Sequence, residues 1–260
     1  MKSSNMNGLK ENKGSKLIEQ GKYQEAVDYS NKVLESSPKD VEALYNKACA
    51  LKGLEKYQEA VECFDNVLEL DPKNANAWNN KGYALGMLWK YQEAIECYDK
   101  LLELDSKNID AWKNKAYALI MLRKYQEAIE CFDRVLELDP KDIDAWDNKG
   151  YVLGMLGRYQ EAIECCDRLL ELDPKHVDTW HNKGYYLEML GKYQEAIECY
   201  DKALELDPKY FNAWLGKGYA LETLERHQEA VESYDKALEL DPSFEPAIKA
   251  KNDLSNQNRS

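Results

Sequence analysis

Long apolar runs are missing from this chain: nowhere in its 260 residues do about 18 apolar residues stand together, which excludes a membrane-spanning helix. The first residues, MKSSNMNGLKENKG, also lack the apolar stretch of a signal peptide. Net positive charge is missing too. The formal charge is −13, which argues against a nucleic-acid partner, whose phosphates need a basic face. Histidine is scarce, with three residues. His176 and His181 stand five apart, off any common helix face, and no Cys-x-x-Cys pair accompanies them, so no metal site is expected. The seven cysteines are an odd number, and five recur at one spacing. That does not read as a secreted disulfide framework, and it points to a reducing cytoplasm. No nucleophile–base pairing and no phosphate-cradling loop is visible, so neither catalysis nor a cofactor is expected. What remains is ample for folding: 44% of residues are hydrophobic, enough for a buried core.

The core is organised by repetition. YQEA begins at 23, 57, 91, 125, 159 and 193, and HQEA at 227, each step 34 residues. A period of this size means a solenoid of stacked supersecondary units. Seven units follow: 7–40, 41–74, 75–108, 109–142, 143–176, 177–210 and 211–244. Each holds two helical patterns, at unit positions 2–14 and 17–30. Gly at position 15 (Gly21, Gly157, Gly191) suits a left-handed helix end. Asp-Pro closes the second helix in five units, since Pro cannot continue a helix. Unit four is entered through Asp105-Ser106, which predicts a looser corner. Residues 245–254 read as a capping helix, with disordered tails expected at 1–6 and 255–260.

Trp at position 4 (Trp78, Trp112, Trp146, Trp180, Trp214), Gly or Ala at 8, Tyr at 17, Ala at 20, an aromatic at 24 and Pro at 32 resemble the tetratricopeptide repeat (TPR). The resemblance covers nearly the whole chain. It implies an all-α, right-handed TPR superhelix (an α-solenoid) of seven repeats plus a C-terminal capping helix. Three departures stand out. Lys replaces the family's usual Leu at position 7 in all units; unit one carries Lys10 for Trp and Ser30 for the aromatic; and Cys166 stands where unit five should have a large ring. The second predicts that unit one is the loosest. The third predicts a smaller core or a shifted neighbour.

Helical spacing separates three faces of each first helix. Positions 4, 8 and 11, such as Trp78, Gly82 and Leu85, should pack on the unit's own second helix, with the Gly opposite Ala at 20. Positions 3, 7, 10 and 14 form a seam toward the neighbouring repeat. There the Lys stem lies along apolar surface with its ammonium at the edge, near Glu at 22 or Asp at 25. Positions 2, 6, 9 and 13 should form the concave surface. They carry Asn46, Asn80, Asn114, Asn148 and Asn182, preceded by Asn12 in unit one; Tyr83, Tyr117, Tyr151, Tyr185 and Tyr219; the methionines Met87, Met121, Met155 and Met189; and the acids Asp110, Asp144 and Asp178. Further acids, Asp147, Glu188 and Glu222, flank them, and a focused negative potential favours a basic or neutral ligand.

This face predicts a non-catalytic scaffold that binds an extended protein or peptide segment, without nucleic acid and without membrane insertion. An Asn amide offers a donor and an acceptor to any peptide backbone, whatever its side chains. The arrangement is similar to the asparagine ladder in the TPR superhelix of the O-GlcNAc transferases. An alternative is a recognition or regulatory module of a larger enzyme such as a glycosyltransferase; a self-assembling structural protein is another. The carboxylate clamp of TPR cochaperones, Lys at 5 with Asn at 9, is incomplete here, because Lys113 is followed by Tyr117. Trp89, in place of Gly at position 15, should stand exposed at a corner.

Overall fold

The computed structural model describes residues 13–257, with side chains to 254, and every regular element among them is helical. Fifteen helices follow one another: α1 (Lys13–Glu19), α2 (Tyr23–Ser36), α3 (Val41–Gly53), α4 (Tyr57–Leu70), α5 (Ala75–Met87), α6 (Tyr91–Leu104), α7 (Ile109–Met121), α8 (Tyr125–Leu138), α9 (Ile143–Met155), α10 (Tyr159–Leu172), α11 (Val177–Met189), α12 (Tyr193–Leu206), α13 (Phe211–Thr223), α14 (His227–Leu240) and α15 (Glu245–Gln257). The expected tail at 1–6, with Lys10 and Asn12, lies outside the described residues, as do 258–260. The last helix runs three residues past its expected end at 254, into the segment expected to be disordered. The chain forms two compact units, Met1–Cys131 and Phe132–Ser260, divided inside α8. Within each, consecutive helices pack in sequence, and first helices also touch one another: α1 with α3, α3 with α5 and α5 with α7 in the first unit, α11 with α13 in the second.

The helix ends follow from local chemistry. Asp40, Asn74, Asn108 and Asp142 each accept a hydrogen bond from the N–H three residues on, at 2.8–3.0 Å, capping α3, α5, α7 and α9. Such a cap is worth about 1 kcal/mol. α11 and α13 begin at His176 and Tyr210 with no side-chain cap. First helices end where the backbone turns left-handed. Gly21, Gly157 and Gly191 take φ of 71–76°, and the N–H of Lys56 or Lys90 reaches back to the carbonyl of Leu51 or Leu85 at 2.9–3.0 Å. The Asp105-Ser106 corner keeps the bonds of its Asp-Pro counterparts. Lys107 N donates to Asp105 Oδ1 at 3.1 Å, and Trp112 Nε1 to Ser106 O at 3.0 Å. The loosening expected there is absent from this geometry, because the bonds come from the Asp carboxylate and the Trp indole rather than from the Pro ring.

That Trp bond recurs: Trp78, Trp146, Trp180 and Trp214 each donate to the carbonyl of the preceding Pro at 3.0 Å. The position-7 lysines complete the seam, and their partner is Asp at 25 of the preceding repeat. Lys81 meets Asp65, Lys115 Asp99, Lys149 Asp133, Lys183 Asp167 and Lys217 Asp201 at 2.5–2.6 Å. The same ammonium groups lie 5.5–5.7 Å from the Trp rings of their own helices. The lysine side chains are only 19–22% exposed. Each cation therefore ties two repeats together for about 1 kcal/mol. α15 repeats the pattern, with Lys251 on Asp235 and with Ala247 and Leu254 buried.

Gly at position 8 meets a ring that its spacing does not reveal. A Cβ on Gly82, Gly184 or Gly218 would lie 2.5–2.7 Å from a ring carbon of Tyr98, Tyr200 or Tyr234, the aromatic at 24 of the same repeat. Repeats with Ala at 8 (Ala48, Ala116) carry Phe at 24 (Phe64, Phe132). In repeat five the ring is absent, and a Cβ on Gly150 would instead lie 3.2 Å from Cys165 Cβ and 3.6 Å from the Ala162 carbonyl. The space left by Cys166 is taken from the neighbouring repeat. Tyr186, which stands where α5, α7 and α13 have Ala, is 5% exposed, and its hydroxyl donates to Gly150 O at 3.3 Å. The row of cysteines at 23 is buried and free. Burial pushes the thiols of Cys97 and Cys131 up to about 12 and those of Cys165 and Cys199 up to about 11, so they pack as apolar groups.

Candidate interaction face

In the first compact unit, α5 and α7 turn Tyr83 with Met87 and Tyr117 with Met121 outward, 41–51% exposed. Each pair is four residues apart, one above the other on its helix. Asp110 is exposed beside them on α7. Asn80 has three partners within its own protein. Its amide nitrogen donates to Asn76 O at 2.8 Å and Tyr45 Oη at 3.1 Å, and its oxygen accepts from Lys52 Nζ at 2.5 Å. The Lys52 ammonium also lies 5.3 Å from the Tyr83 ring centroid. Asn114 donates to Asn79 Oδ1 at 3.3 Å. Asn46 departs from the expected ladder: it is 4% exposed and accepts from Ser15 Oγ at 3.3 Å, because α1 packs against α3.

In the second unit, α9 and α11 present Tyr151 with Met155 and Tyr185 with Met189, 45–54% exposed. Asn148 donates to Asp144 O, one turn earlier on its own helix, at 2.7 Å. The Asn182 oxygen lies 3.3 Å from His181 Nδ1. Asp144 and Asp178 are exposed, and Asp178 accepts from Tyr210 Oη at 2.5 Å. Two further acids come to this face. Glu188 accepts from Tyr200 Oη at 2.8 Å and Glu222 from Tyr234 Oη at 2.7 Å. Burial raises the Glu188 carboxyl above the usual carboxylate range, and the Tyr200 hydroxyl opposes that rise. A Cβ on Gly216 would lie 2.6 Å from Tyr200 Cζ, so the ring occupies the place where earlier repeats have Asn.

The structure thus brings Asn80, Asn114, Asn148 and Asn182 to one side of their helices and exposes the Tyr–Met pairs beside them. The tyrosine hydroxyls that hold Glu188 and Glu222 were not evident from spacing. Their signal was Tyr rather than Phe at position 24 together with Glu at 12. Among the described residues no group of three His, Cys, Asp or Glu side chains could hold a metal ion, and no helix is long and apolar enough to cross a membrane.

Tetratricopeptide repeat models match residues 10–40, the consecutive segments 41–74, 75–108 and 109–142, and then 141–209 and 181–243. The chain belongs to the tetratricopeptide repeat family. No curated protein matches this TPR chain in sequence. Among solved structures it is similar to YrrB, described as a TPR protein with an unusual peptide-binding site: 26% identity over 74% of this chain and 99% of YrrB, TM-score 0.64. The C-terminal part of a TPR repeat-containing protein from Cytophaga hutchinsonii superposes with TM-score 0.82 at 17% identity, covering 91% of this chain and 97% of that one. MamA from Desulfovibrio magneticus RS-1 (residue 41 to its end) gives 0.61 at 24% identity, covering 65% and 96%. The last two likenesses speak for the fold alone.

Proposed function

We propose that this TPR protein is a protein-interaction scaffold whose first helices bind an extended, basic or neutral peptide segment. The observation that carries the reading is the repeated, exposed Tyr–Met pair. On a solvated helix face one expects charged residues, as the outer positions of α6 show with Glu93, Glu96 and Lys100. Here four helices instead expose a large aromatic ring and a thioether, 41–54% accessible, with carboxylates around them. Tyr gives flat contact area at low entropic cost, and Met adapts to varied ligands. YrrB's description as a peptide binder supports the reading by likeness.

The asparagines contribute unequally on this reading. Asn80 already has three partners, so a ligand carbonyl there must displace Tyr45 or Asn76 from its amide nitrogen. Asn114 and Asn148 are the members to test. Their replacement by Ala should weaken peptide binding several-fold, each lost hydrogen bond being worth about 1 kcal/mol. The melting temperature should hold. Loss of stability with unchanged binding would make the ladder structural. Replacing Tyr117 and Tyr151 by Ala should weaken binding more strongly.

A further inference from the structure

The first-helix faces of the two compact units differ at repeat position 12. In the first unit that position holds Ile18, Lys52, Gly86 and Ile120; in the second it holds Gly154, Glu188 and Glu222. Each of these two glutamates is fixed by a hydroxyl from the second helix of its own repeat, Tyr200 of α12 or Tyr234 of α14, at 2.7–2.8 Å. The rings reach them because Gly184 and Gly218 leave room. In the first unit the same Gly–Tyr pair, Gly82 with Tyr98, has Gly86 where the carboxylate would be. Tyr219 lies on the face beside the two glutamates: burial, then the charges of Glu222 and Glu188, oppose ionisation of its hydroxyl. Its ring meets Tyr234 edge-on at 5.6 Å. Both carboxylates are therefore held at defined positions around one aromatic surface, with the exposed Tyr185 and Met189 on the adjoining helix.

A carboxylate offers about four acceptor sites, and one tyrosine hydroxyl takes one of them. The rest suit a guanidinium or ammonium group. The long stem of such a side chain can lie on the Tyr and Met surface, while the cation stacks on a ring. An acidic segment would be repelled, and a neutral one would leave the carboxylates unmatched. Resting on the peptide-binding reading above, we propose that the first-helix face of the second unit selects a segment carrying arginine or lysine, its cation seated by Glu188 and Glu222 against Tyr219. The two carboxylates set specificity. Tyr200 and Tyr234 are positioning residues that act through them.

The test uses the full chain and two fluorescein-labelled ten-residue peptides of Ala, Ser, Gly and Leu. One bears two arginines and the other citrulline in their place, which keeps shape and removes charge. Fluorescence anisotropy at about 0.1 M salt should show the arginine peptide bound about tenfold more tightly, as expected for two charge pairs of about 0.5–1 kcal/mol each. In Glu188→Gln/Glu222→Gln that preference should fall to about twofold or less, chiefly through weaker binding of the arginine peptide. Tyr200→Phe/Tyr234→Phe should reduce the preference partway, again through the arginine peptide. An arginine preference that survives Glu188→Gln/Glu222→Gln, or equal binding of both peptides to the wild-type chain, overturns the assignment while leaving peptide binding intact. Citrulline-peptide binding indifferent to Tyr117→Ala/Tyr151→Ala, or no binding of either peptide, overturns the peptide-binding reading itself and the assignment with it.

Discussion

Glu55, Trp89, Arg123 and Glu225 stand in left-handed backbone, φ 57–62°, where three sister repeats have glycine. An L side chain there costs about 1–2 kcal/mol, and glycine's extra freedom in the unfolded chain offsets part of that. Glu225→Gly should therefore stabilise the protein by about 0.5–1 kcal/mol, read from the urea midpoint. Trp89 is the exposed corner its position suggested, at 75% accessibility, with its ring edge-on to Tyr91 at 6.1 Å. Glu188 gives a residue-scale prediction with a pH sign. Its carboxyl titrates above the usual range in the folded state, chiefly through burial. A group raised in this way contributes most below its unfolded value, and that contribution is lost as pH rises through the folded one. Glu188→Gln should thus raise the melting temperature at pH 7, and the gain should vanish near pH 4. A variant that weakens arginine binding while stabilising the fold would mark a residue kept for function.

At the scale of the element, the pairing of first and second helices rests on how position 8 meets position 24. Gly184→Ala would place a Cβ 2.7 Å from the Tyr200 ring. Despite the better helix propensity of Ala, the variant should lose about 1–3 kcal/mol in chemical denaturation. Gly184→Ala with Tyr200→Phe recreates the Ala–Phe combination of repeats two and four. The double variant should lose less than the sum of the single changes, because a ring without a hydroxyl is not pinned toward Glu188 and can move aside. The sequence made the helices, their punctuation and the three faces legible, because period, Gly and Asp-Pro are local signals. It left the lysine with two candidate acids, since Asp65 lies in the repeat before Lys81 and only packing selects it. It did not reveal that position-8 Gly meets the Tyr ring at 24, because spacing fixes a face and not how far a ring reaches. It placed Asn46 with its sisters, although Asn46 is buried where α1 lies beside α3.

At the scale of the whole molecule, each repeat draws its stability from itself and its neighbours, so uneven repeats produce uneven protection. Repeat one has Ser30 where the others bury a ring or Cys166, and the Ser30 hydroxyl is buried without a partner. A buried unpaired hydroxyl costs about 1–3 kcal/mol. Amides of α2 should accordingly exchange faster than those of α4, α6, α10 and α12; slower exchange in α2 would contradict this. Function at this scale rests on one claim, that the exposed first-helix face of each compact unit is where a partner segment lies. Four of the chain's six methionines stand on these faces, Met87 and Met121 in the first unit and Met155 and Met189 in the second, and are 45–51% exposed. The most direct measurement is an NMR titration of methyl-labelled methionine with the arginine peptide. The account predicts saturable shifts of methyl signals assigned to these four residues, and their suppression in Tyr117→Ala/Tyr151→Ala. Peptide binding that leaves all four signals in place would contradict it.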